Sequence, residues 1–360
     1  MNDDLASRRA MLFERLDSVD TAPLWAVMSK LVTPKPQPRS VPAKWSYAQM
    51  RDLLLEAGVL ITAKEAERRV LILENPGLRG HSQITQSLYA GLQLIMPGEI
   101  APSHRHAAAA LRFVIEGEGG YTAVDGERIS MQPGDFILTP SWTFHDHGNA
   151  GDVPVIWLDG LDVPIVNMFD ASFAQSYPDG DTQAVTRPEG DALARFGCNL
   201  VPLEYTPAGQ SSPVFHYPYA RTLAALNQLE KQGNWDRWHG IKLQYTNPIN
   251  GAYPMPTMAA FIQKLKAGFD GARYRSTDAT VYCVKDGSGY TMIGETRIEW
   301  RQGDVFVTPS WAYVAHHAST DTVLFSFSDR AAQKALGLWR EEYAEEPSGG
   351  SSSAEEICRP

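Results

Sequence analysis

Three histidines in two separate segments have the residue type and the spacing of a metal site. His104 and His106 are two residues apart, and His145 follows in a later segment. Alternate side chains of a β-strand point to the same face, so His-x-His places two imidazoles side by side. A third imidazole from a neighbouring strand would complete a facial set that suits a divalent first-row metal and leaves positions open for substrate. The dipeptide pattern alone is equally consistent with two surface histidines on a polar strand face.

Glycine, proline and asparagine residues frame these histidines in a fixed order. The two blocks are Gly98, His104, His106 and Gly117, and then Gly134, Pro140, His145 and Asn149. This frame resembles the two motifs of the cupin family, small antiparallel jelly-roll barrels with a metal inside. Ala110 stands where many cupins have a carboxylate ligand, and Trp142 where the second motif usually has glycine. The resemblance therefore implies a three-histidine centre that keeps a charge of about +2 and favours an anionic chelating substrate.

Short apolar segments from residue 67 onward predict the strands that would carry the histidines. They are separated by Gly, Pro and Asp-Gly turns at nearly regular spacing, which is typical of an all-β barrel or sandwich. The segment 121–142 recurs as 290–311, and such an internal repeat indicates two copies of one unit. The predicted fold is mainly β, a bicupin of two antiparallel jelly-roll barrels with N-terminal and linker helices.

The repeat also predicts what became of the metal ligands in the second copy. Tyr274, Ser276 and Val314 occupy the positions of the three histidines, so the second barrel is expected to bind no metal. His316 and His317 lie nearby, and we interpret them as exposed polar residues at a strand end. The second barrel is then expected to serve packing and assembly.

Composition and periodicity divide the chain into five parts. They are an N-terminal helical segment (1–66), an N-terminal cupin barrel with the metal site (67–172), a linker with a helix (173–250), a C-terminal cupin barrel without metal ligands (251–340) and a disordered tail (341–360). The tail is polar and rich in serine and glycine, a composition that cannot bury a core.

Charge and cysteine content limit the possible partners. The formal net charge of −10 argues against nucleic acid or an anionic membrane as a partner, because both require a concentrated basic face. No apolar run has the length of a membrane span. The three cysteines are far apart and odd in number, which favours free thiols in a reducing compartment. We expect a cytoplasmic protein.

Six blocks narrow the resemblance from a superfamily to one family. They are residues 67–77, 89–98, 103–106, 111–119, 145–148 and 157–162. Together they look like gentisate 1,2-dioxygenase. This resemblance implies that O₂ opens gentisate between the carboxyl-bearing and the adjacent hydroxyl-bearing carbons to give maleylpyruvate, with iron(II) as the cofactor and a homotetramer as the assembly. Dioxygenases for salicylate or 1-hydroxy-2-naphthoate share most of these blocks and remain alternatives.

The same resemblance implies roles for further residues. Arg68 and Arg112 match positions that hold the substrate carboxylate, for which a guanidinium fork is suited. His147, two residues beyond His145, is expected to border the site as a proton carrier. Three other positions match polar or aromatic pocket residues of the family: Gln93, Asp159 and Tyr89.

Two other classes of function compete with the ring-cleaving dioxygenase. One is a zinc or manganese cupin such as an isomerase, which the missing carboxylate and the two arginines disfavour. The other is a non-catalytic, metal-binding cupin for storage or sensing, which the intact set of three histidines disfavours.

Overall fold

The computed structural model describes residues 2–207 and 209–344, with side chains from residue 4 onward. Two compact units are present, Met1–Gln37 and Pro38–Pro360. The smaller unit contains the helices α1 (Asn2–Asp17) and α2 (Leu24–Leu31), and none of its described side chains is buried. Among the described residues, no helix has both the length and the apolar character needed to cross a membrane.

The larger unit is built mainly from strands, with short helices between them. Its helices are α3 (Tyr47–Leu60), α4 (Ala63–Ala66), a 3-10 turn (Pro76–Leu78), α5 (Val163–Met168), α6 (Asp191–Phe196), α7 (Tyr219–Glu230) and α8 (Arg330–Ala335). The strands of its first half are β1 (Ala43–Trp45), β2 (Arg69–Ile72), β3 (Tyr89–Ile95), β4 (Ile100–His106), β5 (Ala110–Glu116), β6 (Gly120–Val124), β7 (Glu127–Ser130), β8 (Phe136–Thr139), β9 (His145–Asn149), β10 (Val155–Leu161) and β11 (Ala174–Ser176). Those of its second half are β12 (His216–Tyr217), β13 (Ile241–Gln244), β14 (Ala259–Leu265), β15 (Tyr274–Ser276), β16 (Thr280–Asp286), β17 (Ser288–Ile293), β18 (Thr296–Arg301), β19 (Val305–Thr308), β20 (Val314–Ala318), β21 (Thr322–Ser328) and β22 (Glu341–Tyr343).

Each barrel consists of two facing antiparallel sheets, and the two barrels have the same strand order. The first has sheets β12-β8-β5-β10-β3-β2 and β11-β4-β9-β6-β7. The second has β1-β19-β16-β21-β14-β13 and β22-β15-β20-β17-β18. The predicted fold class, a mainly β bicupin, is confirmed.

The two repeats exchange their first strands. β1 precedes the first barrel in sequence but pairs with β19 of the second, and β12 precedes the second barrel but pairs with β8 of the first. The helix that follows each exchanged strand begins in the same way: the backbone N–H of Tyr47 donates to Asp304 Oδ1 at 2.9 Å, and that of Tyr219 donates to Asp135 Oδ1 at 2.8 Å. Neither barrel is therefore formed by one continuous segment.

The predicted segment boundaries differ from the structure at five strands, two of which are the exchanged ones. β1 lies in the segment predicted to be helical, and β11 and β12, assigned to the linker, belong to the sheets of the first barrel. The second barrel also includes β13, which lies before residue 251. β22 lies inside the predicted tail but pairs with β15, and Arg275 donates to Glu342 at 2.6 Å. Composition does not reveal such backbone pairing; residues 345–360 of the tail lie outside the described residues.

Aromatic side chains join the two barrels into one core. Phe113 of β5 and Phe325 of β21 stack with ring centroids 4.2 Å apart and ring planes within 6° of parallel. Both are completely buried. The same cluster of buried residues extends into both barrels, so the second barrel supports the sheet that carries the arginine and aspartate of the site described next.

Candidate active site

Two strands of the first barrel bring the three predicted ligands together. β4 and β9 pair so that His104 lies opposite His145, and His106 follows on the same face of β4. The ring centroids are 4.2 Å apart for His104 and His145, 4.9 Å for His106 and His145, and 5.1 Å for His104 and His106. One nitrogen from each ring lies within 4.8 Å of the others. Among the described residues no other group of histidine, cysteine or carboxylate side chains has metal-site geometry.

Hydrogen bonds orient two of these rings for metal binding. His106 Nδ1 lies 2.7 Å from the Ala108 carbonyl oxygen, and His145 Nδ1 lies 2.9 Å from that of Thr143. A carbonyl oxygen only accepts, so Nδ1 carries the proton in both rings and Nε2 presents its lone pair, as in metal-binding histidines generally. Burial lowers the pKa of all three histidines, that of His104 to about 3. Neutral imidazoles are the form that binds a metal, so the residues fit a divalent ion.

A cavity of about 360 Å³ opens from the histidines, within the range of small-molecule sites. All nine residues that the sequence predicted for the site line it: Arg68, Tyr89, Gln93, His104, His106, Arg112, His145, His147 and Asp159. The cavity also has a wall that sequence reasoning missed: Val70, His81, Ser82, Gln83, Leu161, Val163, Pro164 and Asn167. Several of these lie in loops whose sequence carries no periodic signal, and we find no feature that could have identified them.

A buried ion pair forms the floor of the cavity on the sheet opposite the histidines. Arg112 and Asp159 lie opposite each other on β5 and β10, with Arg112 Nε 3.6 Å from Asp159 Oδ1. Arg112 Nη1 donates to Thr139 Oγ1 at 2.7 Å, and the indole N–H of Trp157 donates to Asp159 Oδ1 at 2.9 Å. Burial raises the pKa of Asp159 to about 6 although Arg112 opposes the shift, and burial lowers the pKa of Arg112 to about 10. Arg112 therefore remains a cation at neutral pH.

Arg68 approaches the histidines from the chain segment just before β2. Its Nη2 donates to the Pro102 carbonyl oxygen at 2.7 Å and contacts His104 Nδ1. A guanidinium group only donates, so His104 Nδ1 is the acceptor in this contact. Ligation of a metal through His104 Nε2 would place the ring proton on Nδ1 and would exclude the contact. Arg68 can therefore contact His104 Nδ1 only while His104 does not bind a metal through Nε2.

His147 faces the cavity beside His145 and is held by Thr122 of the neighbouring strand. The ring centroids of His145 and His147 are 5.7 Å apart. Thr122 Oγ1 lies 2.5 Å from His147 Nδ1 and 3.2 Å from the Asp146 carbonyl oxygen. A carbonyl oxygen only accepts, so the Thr122 hydroxyl donates to the Asp146 carbonyl. His147 Nδ1 then donates to Thr122 Oγ1, and His147 Nε2 is left as a proton acceptor. Burial lowers the pKa of His147 well below its usual value, so the ring is neutral.

Comparison with known proteins gives the family. The profile described as "Cupin domain" matches residues 91–162. The chain is 54% identical over 337 residues to gentisate 1,2 dioxygenase 1 of Aquipseudomonas alcaligenes, covering 94% of this chain and 97% of that one. This chain belongs to the gentisate 1,2-dioxygenase family. It is thus a cupin dioxygenase, as the resemblance predicted.

Other relatives are named for other aromatic hydroxy acids. The chain is 34% identical over 313 residues to 1-hydroxy-2-naphthoate 1,2-dioxygenase of Nocardioides sp. (strain KP7), covering 85% of this chain and 80% of that one. The crystal structure of salicylate 1,2-dioxygenase from Pseudoaminobacter salicylatoxidans with gentisate superposes with a TM-score of 0.89 at 33% identity, covering 94% of each chain.

The second barrel has different residues at the corresponding positions. Tyr274 and Val314 are opposite each other, as His104 and His145 are in the first barrel. The interpretation of His316 as an exposed residue is wrong: it is completely buried and lies opposite Thr291, as His147 lies opposite Thr122. His316 is two residues beyond Val314, so it is the counterpart of His147. His317 is half-buried and pairs with Asp270.

Proposed function

We propose that this chain opens the ring of gentisate with O₂ between the carboxyl-bearing carbon and the adjacent hydroxyl-bearing carbon, giving maleylpyruvate. The observation that carries the proposal is the presence of three neutral histidines and a buried arginine in one cavity. A small aromatic hydroxy acid would present its carboxylate and ortho oxygen to such a site. The family relationship at 54% identity supports gentisate as the substrate.

We propose iron(II) as the metal, held by His104, His106 and His145. When bound there, iron(II) would supply open coordination positions for O₂ and for two substrate oxygens, and a route for electrons between them. No carboxylate of this chain contributes a ligand in the cluster of described residues. The site therefore keeps its positive charge for an anionic substrate.

The two arginines would bind and orient the substrate carboxylate. Arg112 is fixed by Thr139 and Asp159, and we expect its position to change little when substrate binds. Arg68 would leave His104 Nδ1 when the metal binds, and its guanidinium would then be available to the carboxylate. Two planar forks can hold one carboxylate in a single orientation, which sets the ring position relative to the metal.

The remaining residues would handle protons and shape the pocket. His147 Nε2 is a neutral acceptor in the cavity, and we propose that it takes the proton from a ring hydroxyl. Asp159, whose pKa burial raises to about 6, would accept a hydrogen bond from a second hydroxyl. Gln93 and Tyr89 on β3 would complete the walls.

We also propose a homotetramer in the cytoplasm. The smaller unit supports assembly, since large apolar side chains of α1 and α2 are exposed, among them Met11, Trp25 and Leu31 at 60%, 71% and 67%. Apolar exposure on that scale marks interaction surfaces. The described cysteines, Cys198 and Cys283, are both free thiols, which fits a reducing compartment.

The substrate is tested by comparing ring-opened product from gentisate, salicylate, 1-hydroxy-2-naphthoate and catechol under one set of conditions. The anaerobically iron-loaded enzyme is mixed with each compound in air-saturated buffer, and product absorbance is followed. We expect kcat/KM for gentisate to exceed that for catechol by at least a hundredfold, because catechol lacks the carboxylate. Comparable turnover of catechol would refute the carboxylate contacts. Salicylate or 1-hydroxy-2-naphthoate as the best substrate would instead favour the activity of the relatives that cleave those compounds.

A further inference from the structure

Four polar residues of the second barrel face its interior. Their counterparts in the first barrel line the active-site cavity. The pairs are Val70 and Lys242, Gln93 and Gln263, His147 and His316, and Asp159 and Ser326, and each pair has the same cross-strand register. Because strand side chains alternate between faces, residues at the same register point the same way in both barrels. Lys242, Gln263, His316 and Ser326 thus converge from four strands.

Three of these residues have buried polar atoms that lack a hydrogen-bond partner within the described part of the chain. The atoms are Gln263 Oε1, His316 Nε2 and Ser326 Oγ, and all three residues are completely buried. Buried polar atoms in folded proteins are almost always hydrogen-bonded. A cluster of three without partners in one barrel interior indicates that a bound molecule satisfies them.

Lys242 adds an unpaired positive charge to this cluster. Its ammonium lies 5.0 Å from the ring centre of Phe261 and 5.9 Å from that of Tyr282, and it has no hydrogen bond or ion pair among the described residues. The nearby carboxylates are engaged elsewhere. Arg330 Nε lies 3.1 Å from Asp278 Oδ2, and the hydroxyl of Tyr343 donates to Glu341 at 3.0 Å. Partial burial and the neighbouring Arg330 lower the pKa of the half-buried Lys242 to about 7.

The proton on His316 can be assigned from its partner. Thr291 Oγ1 accepts the indole N–H of Trp300 at 2.9 Å and lies 2.9 Å from His316 Nδ1. Thr291 has no other acceptor for its own proton among the described residues, so it donates to Nδ1. His316 Nε2 then carries the ring proton and is a donor, in contrast to His147 Nε2 of the first barrel.

Donors therefore outnumber acceptors in this interior. Lys242 Nζ, His316 Nε2 and the Ser326 hydroxyl can donate, whereas Gln263 Oε1 accepts. A group of donors with one positive charge suits a carboxylate. Phe261 and Tyr282 occupy the positions at which the first barrel has Gly91 and Arg112. An aromatic ring that fits the first barrel would meet these side chains in the second.

We propose that the interior of the second barrel is a binding site for a small aliphatic carboxylate, of the size of acetate or pyruvate. Its oxygens accept from Lys242 Nζ, His316 Nε2 and Ser326 Oγ. The site is separate from the three-histidine centre and requires no metal. This inference does not rest on the identity of the ring-cleavage substrate.

The test is isothermal titration calorimetry of the anaerobically iron-loaded enzyme with sodium pyruvate and, separately, sodium acetate, in buffer free of other carboxylates. Binding to the active site is removed with Arg112→Met and binding to the second barrel with Lys242→Met. We expect saturable binding that persists in Arg112→Met and is weakened at least tenfold in Lys242→Met. Lys242→Met is expected to keep wild-type turnover of gentisate, which serves as the control for folding.

Three results would overturn the proposal. They are an absence of saturable binding to Arg112→Met, equal affinity in wild type and Lys242→Met, and tighter binding of inorganic phosphate than of either carboxylate. Ser326→Ala provides a second variant if Lys242→Met does not fold. It removes one donor with little change in volume, and we expect several-fold weaker binding. Unchanged pyruvate affinity in Ser326→Ala would also count against the site.

Discussion

The two barrels share a backbone plan but differ in the side chains that face inward. Features outside the interior recur: Trp142 and Trp311 both have φ near +60°, and Arg105 and Arg275 lie 4.5 Å above them. Inside, the three ligand histidines and Arg112 give way to two tyrosines, a serine and a valine. The comparison teaches that backbone pairing and turns maintain the fold, whereas function depends on a few inward positions that can change independently.

The pair His147 and His316 shows how a small contact changes chemistry within one scaffold. Both rings contact a threonine on the adjacent strand. The Thr122 hydroxyl donates a hydrogen bond to a backbone carbonyl, so it accepts from His147. The Thr291 hydroxyl accepts a hydrogen bond from the indole of Trp300, so it donates to His316. One ring therefore presents a base to its interior and the other presents a donor. A base suits a site that must remove a proton, and a donor suits a site that holds an anion.

The largest expected difference between the barrels concerns the metal ligands. We expect His104→Ala to abolish both iron binding and gentisate turnover, because two imidazoles lose geometry as well as affinity. The matched change in the second barrel, Tyr274→Phe, should leave both unchanged. Iron is counted by atomic absorption after gel filtration, and turnover by product absorbance. Loss of turnover in Tyr274→Phe with intact folding would show that the second barrel takes part in catalysis.

A smaller effect is expected at the next pair of positions, Arg112 and Tyr282. Arg112→Ala removes one partner of a buried ion pair and a substrate contact, and should lower kcat/KM by the equivalent of about 2–5 kcal/mol. Tyr282→Phe changes the counterpart and should leave kcat/KM at the wild-type value. Steady-state kinetics with gentisate measures both. An unchanged kcat/KM in Arg112→Ala would contradict its contact with the substrate carboxylate.

The smallest effect concerns the pH dependence of stability that Lys242 gives to the second barrel. Its pKa of about 7 in the folded chain is below that of an unfolded lysine, so the unfolded state binds more protons above pH 7. The free energy of unfolding should therefore rise as pH increases from 7 to 9. The groups facing Lys242 are Arg330, Asp278, Glu341, His239 and His316.

Lys242→Met isolates the contribution of the lysine from those neighbours. We expect the variant to be slightly more stable than wild type at pH 6.5, because a half-buried charge without an ion-pair partner is removed, and to lack the rise between pH 7 and 9. Urea unfolding across this range in buffer free of carboxylates measures the difference. Parallel pH profiles for the two proteins would mean that the pKa of Lys242 is not lowered by folding.

Much of the first barrel's cavity could be predicted because its residues lie in strands or short motifs. Side chains alternate between the two faces of β4 and β9, which places His104, His106 and His145 on the same face of the sheet. The family match supplied Arg68, Arg112 and Asp159. The loop residues His81 and Gln83 could not be predicted, since loop position depends on tertiary packing.

Other features depended on contacts between distant segments. The exchange of β1 and β12 is a backbone pairing between repeats, and two or three residues carry no signal for which sheet they join. Trp311 ends the repeated segment 290–311, but its side chain is half-buried in a turn against Arg275 and lies outside the core. A core truncation of the second barrel would be Phe325→Ala, because Phe325 is completely buried against Phe113.

The most direct test of the account is the iron content of wild-type enzyme after anaerobic loading with excess iron(II) and removal of unbound metal. Only the first barrel has three imidazoles at the ligand positions, so we predict about one iron per chain together with full turnover of gentisate. Near two irons per chain, or one iron that remains in His104→Ala, would contradict the assignment of the chemistry to the first barrel alone.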